Sequence, residues 1–313
     1  MNFLLIIGGL ITLILGGNWL LKSAVALSLK LEIPKIVIGM TVVSFATSAP
    51  ELIVSVNAAL SGSSDLALGN VIGSNIANLG LVLGITLLLS KIDVEKSFYK
   101  TDWPVMMIAS AALYFFIIGD KAIVAYEGLI LFVLLIAFLI YLLRFQKTVV
   151  VDEIPENDEP LPLYKIVLFL VLGGVCLWGG SELLINGAVA LAQDFGISER
   201  IIGVTVVSIG TSIPELAASI IAILKKEKGI SLGNLLGSNI FNILAVLGIT
   251  AMITPVKVGA EGEGLLTNDI FWMLGVSFII LPLVFVPSRM RLNWKDGIIL
   301  LIGYVTFVYI TLK

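Results

Sequence analysis

The chain has 313 residues, 58% of them hydrophobic and 13% charged, with a formal net charge of −3, no His and one Cys. No soluble core needs that much apolar surface, whereas apolar runs of about 20 residues meet the spanning requirement of a bilayer helix. The lack of His and the lone Cys176 exclude a His-ligated metal centre, a Cys/His nucleophile and a disulfide framework, and nothing in the composition invites nucleic acid.

In chain order, residues 3–21 have no positive leading region and no small-residue cleavage site, so they read as a retained first helix over 3–28. Apolar runs at 35–60, 66–90, 102–119 and 123–144 complete a first half, residues 1–144. The segment 145–163 follows, with Asp152, Glu153, Glu156, Asp158 and Glu159 among three prolines, and reads as a solvated linker too short to hold a domain. The second half, 164–313, has runs at 164–192, 200–224, 230–254, 269–286 and 297–312. Cys176 sits inside the first of these as a small buried hydrophobe. The expected architecture is an all-α membrane protein with ten transmembrane helices.

Orientation follows from basic residues in the loops. Fourteen Lys and Arg fall in one set of alternate loops, and only Lys121, Arg200, Lys257 and Lys313 in the other. The first set is expected to be cytoplasmic, in a plasma or inner membrane, which turns both termini outward and the linker inward. Five spans per half then make the second half enter the membrane in the opposite sense, an inverted-topology repeat.

The halves are visibly related. Residues 39–86 recur at 203–250 without insertion or deletion, GMTVVSFATSAPELIVS becoming GVTVVSIGTSIPELAAS and LGNVIGSNIANLGLVLGIT becoming LGNLLGSNIFNILAVLGIT. The matching positions are mostly Gly, Ser, Thr, Asn, Pro and Glu, whereas a repeat kept only for packing would preserve apolar size. Glu51 and Glu215 lie deep in their spans, one turn past Thr47 and Thr211, where a carboxylate costs several kcal/mol unless compensated. Pro50 and Pro214 should interrupt the two helices and free carbonyl oxygens. Carboxylates, carbonyls and hydroxyls together form the hard-oxygen set that Ca²⁺ prefers and Na⁺ can use. Ser74 with Asn78, and Ser238 with Asn242, are four apart and share a helix face. Gly69 with Gly73, and Gly233 with Gly237, form GxxxG pairs suited to close helix approach.

These motifs resemble the alpha-repeats of the calcium/cation antiporter superfamily and, within it, the prokaryotic sodium/calcium exchangers. The resemblance covers TSAPE and TSIPE, GNVIGSNIAN and GNLLGSNIFN, the ten spans and the linker. It implies Ca²⁺ bound at the membrane centre by Glu51 and Glu215 with the carbonyls of Thr47 and Thr211. Its sodium ligands correspond to Ser44, Thr47, Ser48 and Ser74, and to Ser208, Thr211, Ser212 and Ser238. Ser44 and Ser208 would act through backbone carbonyls. The chain departs from some relatives in carrying Asn, not Asp, at 242, which leaves a site of formal charge −2 and argues against potassium co-transport. The proton-driven branch has GNxxE in place of TSxPE, so exchange of Ca²⁺ for Na⁺ ranks above exchange for protons, and a cation channel ranks lower still. No cofactor is expected, and oligomeric state is left open. An enzyme is not, since the two glutamates lie in no protease-like motif.

Three features stand outside this scheme. Glu182, in GGSELL, is either a lining acid on an access path or a helix-end acid; Asp65 reads as solvated; and Trp103, Trp272, Trp294, Tyr99 and Tyr309 read as an interfacial belt.

Overall fold

A computed structural model describes residues 2–145, 161–195, 210–259, 262–286 and 290–311. Ser208, nearly all of the linker, the start of the seventh span, and Lys147, Arg200, Arg289 and Lys313 lie outside them. The helices are α1 (Asn2–Leu31), α2 (Lys35–Leu60), α3 (Ser64–Leu89), α4 (Phe98–Asp120), α5 (Ala125–Phe145), α6 (Leu163–Asp194), α7 (Ile213–Leu224), α8 (Lys228–Ile253), α9 (Leu265–Phe285) and α10 (Trp294–Thr311). Among the described residues, all but α7 are long and apolar enough to cross a membrane. Each but α7 lies within a few residues of the expected span; α7 ends where expected at 224 but begins only at Ile213, and much of its expected first part lies outside the described residues. Two-residue strands β1 (Ile92–Asp93), β2 (Ala122–Ile123), β3 (Val256–Lys257) and β4 (Arg291–Leu292) complete the elements. Backbone groups in hydrocarbon must be satisfied within the segment, which is why helices carry nearly everything.

Several helices are not α-helical throughout. Gly39–Val43 in α2, Asn78–Val82 in α3, Phe98–Asp102 in α4, Asn242–Leu247 in α8 and Leu265–Asp269 in α9 are π-helical. Such inserts concentrate at functional sites because they loosen the ladder locally. The inserts in α3 and α8 begin at the same position of the repeat.

The chain divides into two compact units. The first comprises residues 1–47 and 139–234. Its main interface is the antiparallel pair α1 and α6, which meet at glycines seven residues apart. A Cβ on Gly9 would lie 2.8 Å from the carbonyl oxygen of Gly180, and one on Gly16 would lie 2.9 Å from that of Gly173. Trp19 stacks on Phe169, and Asn2 donates to Asp194 at 2.7 Å. Cys176 is half-buried, less enclosed than expected. Lys35 and Glu227 form an ion pair at 3.0 Å.

The second unit comprises residues 48–138 and 235–313. Here the repeat shows as paired contacts. β1 pairs antiparallel with β4, and β2 with β3. Gly84 of α3 packs against Gly297 of α10, while its repeat mate Gly248 of α8 packs against Gly128 of α5. The N-terminus of α10 is closed by a capping box: Asn293 Oδ1 accepts the Lys295 N–H at 2.9 Å, and Asp296 Oδ2 accepts the Asn293 N–H at 2.8 Å. Glu127 does the same for Val124 at the start of α5. Asp65 is not simply solvated: its carboxylate accepts the Gly259 N–H at 2.8 Å, with Gly262 also beside it. The glycines let the loop after β3 close over that carboxylate. In the belt, Trp103 donates its indole N–H to the Ser277 carbonyl at 2.9 Å, while Trp294 and Tyr309 are exposed.

Candidate ion-binding site

The site residues of α2 recur at spacings of three and four: Ser44, Thr47, Ser48 and Glu51, with Ser55 one turn on. All five are buried, Glu51 completely, while Phe45 on the far side is 61% exposed. That is one polar stripe on an otherwise apolar helix. Pro50 does not interrupt this helix. It removes only the N–H that would bond the carbonyl of residue 46, and Ser44–Leu60 continues as α-helix through it. The irregularity lies upstream, in the π-helical turn, where the Ser44 N–H reaches back to the Gly39 carbonyl and Ser44 Oγ donates to the same oxygen at 2.8 Å.

The second copy behaves differently. α7 begins at Ile213 with Pro214 in its first turn, where the missing donor costs nothing, and Ser212 precedes it in a non-helical conformation. TSIPE therefore starts a helix, whereas TSAPE lies inside one. Glu215, Ser212 and Ser219 are buried on one face of this segment and Thr211 is half-buried. Ser208 lies outside the described residues. Of these residues, Ser44, Thr47, Thr211, Ser212 and Glu215 belong to the first unit, and Ser48, Glu51, Ser74, Asn78, Ser238 and Asn242 to the second.

Within the second unit, α3 and α8 cross at the two SNxxN motifs. Asn75 Nδ2 donates to the Asn239 carbonyl at 3.2 Å, and Asn239 Nδ2 to the Asn75 carbonyl at 3.1 Å. Asn78 Nδ2 donates to Asn239 Oδ1, and Asn242 Nδ2 to Asn75 Oδ1, each at 3.1 Å. The backbone carbonyls fix the polarity of this quartet. A carbonyl can only accept, so Asn75 and Asn239 must turn their NH₂ groups to it and offer Oδ1 to the next amide. Asn78 and Asn242 must then spend NH₂ there, which leaves Asn78 Oδ1 and Asn242 Oδ1 buried without a hydrogen bond among the described residues. Ser74 and Ser238 are buried beside them.

Asn75 and Asn239 escaped the sequence reading, although the SN dipeptide in both copies carries them. So did Asn70 and Asn234. Asn70 Nδ2 lies 3.0 Å from Ser55 Oγ, and Asn234 Nδ2 lies 3.4 Å from Ser219 Oγ, the same pairing in each copy. Asn234 Oδ1 also accepts from Thr47 Oγ1 at 3.2 Å, and its carbonyl from Ser44 Oγ at 2.9 Å. The GxxxG motifs divide. Gly233 packs on the backbone of Ile36 and Met40 opposite Gly39, but a Cβ on Gly73 would meet nothing within 4 Å. Glu182 is exposed on α6. The arrangement offers carboxylate, hydroxyl and amide oxygens, all hard donors suited to Ca²⁺ and Na⁺.

A family model described as sodium/calcium exchanger protein matches residues 1–144 and 165–313. CaxA of Alkalimonas amylolytica is 37% identical, over 96% of either chain. The sodium/calcium exchanger MaX1 of Methanosarcina acetivorans is 30% identical, over 99% of this chain and 98% of its own. The solved structure of the sodium-calcium exchanger NCX_Mj, soaked with zero Na⁺ and Ca²⁺, superposes with a TM-score of 0.82 at 26% identity, over 98% of both chains. These likenesses run the full length of the two halves.

Proposed function

Since the chain belongs to the sodium/calcium exchanger protein family, a family of membrane transporters rather than enzymes, we propose that it is a secondary active antiporter exchanging Ca²⁺ for Na⁺ by alternating access. Glu51 and Glu215 carry the charge that offsets Ca²⁺ dehydration. Ser44, Thr47, Ser48 and Ser74, with Ser208, Thr211, Ser212 and Ser238, supply the neutral oxygens on which Na⁺ relies, joined by Asn78 Oδ1 and Asn242 Oδ1. The transported ions are cargo, and no resident cofactor takes part. One observation carries the reading: each copy of the repeat buries a glutamate completely within an apolar helix, and in α2 it shares its face with four hydroxyl residues. A carboxylate in such a place is retained for an ion it binds.

With Asn at 78 and 242 the site holds two formal negative charges, which one Ca²⁺ or two Na⁺ would balance. The excess of basic residues in alternate loops supports an orientation with both termini outside and residues 145–163 in the cytoplasm. The test is ⁴⁵Ca²⁺ uptake into proteoliposomes preloaded with Na⁺, K⁺ or acid. Uptake driven by Na⁺ alone is the expected result. Uptake driven by acid would assign the protein to proton exchange, and uptake independent of any counter-ion would make it a channel.

A further inference from the structure

We propose that Asn234 is a positioning residue that holds the Thr47 hydroxyl in the orientation a sodium ion requires and ties it to the helix bearing Glu215. The proposal rests on the site assigned above. A hydroxyl coordinates a cation through a lone pair, so its proton must be directed elsewhere. Asn234 Oδ1, 3.2 Å from Thr47 Oγ1, is placed to take it, slightly nearer than the Ser44 carbonyl of the same helix at 3.3 Å. The Ser44 hydroxyl lies 2.9 Å from the Asn234 carbonyl and 2.8 Å from that of Gly39 and shares its one proton between them, so two hydroxyls of the first copy contact one residue of the second.

The other end of the amide faces α7. Asn234 Nδ2 lies 3.4 Å from Ser219 Oγ, on the turn that follows Glu215. Asn70 makes the same contact with Ser55, on the turn that follows Glu51, and this recurrence in both copies marks the pairing as built in. The Asn234 main chain has little room to shift, because a Cβ on Gly39 would stand 3.0 Å from its nitrogen and 2.6 Å from the Ile230 carbonyl. Asn234 itself is buried. Its side chain is thus a short bridge from α2 to α7, with no oxygen of its own needed on the ion.

The experiment uses the full chain, with Na⁺ and Ca²⁺ affinities measured by isothermal titration and flux measured in proteoliposomes. Asn234→Ala should weaken Na⁺ binding about tenfold, the weight of one misdirected ligand, while Ca²⁺ affinity shifts by less than about threefold. Asn234→Asp keeps an acceptor for Thr47 and should return Na⁺ affinity to within about threefold of the parent or strengthen it, whereas a purely structural asparagine would suffer more from a buried charge than from Ala. Should Asn234→Ala fail to fold, Ser219→Ala removes the far anchor and should lower Na⁺ affinity in the same direction. Thr47→Val must produce the sodium defect by itself, and adding Asn234→Ala to it should produce no more. Equal losses for both ions, an Asp variant as damaged as the Ala variant, or additive effects with Thr47→Val would each overturn the proposal. A Thr47→Val protein with unchanged Na⁺ binding would instead refute the site assignment, and the bridge with it.

Discussion

Glu51 and Glu215 are both completely buried, a costly place for a carboxylate, and in the proposed site they carry the charge that offsets Ca²⁺. Replacing either by Gln preserves shape and removes half of the charge facing Ca²⁺. We expect Glu51→Gln and Glu215→Gln each to abolish Na⁺-driven ⁴⁵Ca²⁺ uptake while the protein still elutes as a folded monodisperse species; near-normal uptake in either would dismiss the paired-carboxylate site. Asn242 poses a different test, because its NH₂ donates to Asn75 Oδ1 at 3.1 Å. Asn242→Asp cannot donate there when ionised, but can when protonated. Its stabilising hydrogen bond is present while the acid is protonated and is lost as it ionises with rising pH. The melting temperature of this variant should therefore fall between about pH 5 and 8 relative to the parent, whose amide does not titrate. A parallel pair of melting curves would mean that the asparagine quartet does not form.

At the scale of helices, Gly39, which faces Gly233 of one GxxxG pair, and Gly73 of the other pair have different surroundings. Gly39→Ala would drive a methyl group to 2.6 Å from the Ile230 carbonyl and should destabilise by about 1–3 kcal/mol. Gly73→Ala meets open space and should stabilise by about 0.5–1 kcal/mol through the helix backbone. Thermal melts in detergent separate these outcomes, and a Gly73→Ala protein as damaged as Gly39→Ala would show that α3 is packed at that face. The contrast also marks how far sequence reaches. Spans were legible because twenty apolar residues have few fates, and the stripe Ser44, Thr47, Ser48, Glu51 because helical period is local. What escaped was relational: TSAPE inside a helix and TSIPE at the start of one, a π-helical turn upstream of Pro50 in place of a break at it, and which asparagines meet across helices. Periodicity gives the face a residue occupies, not what stands opposite.

For the molecule as a whole, the basic loops set a testable orientation. In a Cys176→Ser background, a membrane-impermeant thiol reagent added to intact cells should label Ser61→Cys, in the loop between α2 and α3, and spare Ser90→Cys, at the end of α3, until the membrane is opened; the reverse pattern would invert the topology. The short strands add a constraint of another kind. β1 at residues 92–93 finds its partner only at residues 291–292, and β2 at 122–123 only at 256–257. At ribosomal rates of roughly 5–20 residues per second, the first of these loops waits about 10–40 s for its strand to be made. During that interval the early helices sit in the bilayer with their loop edges unclaimed, so the last helices to be synthesised are the ones that close the structure. A ribosome that stalls shortly before residue 291 would leave behind a nearly full-length chain in which β1 still has no partner strand.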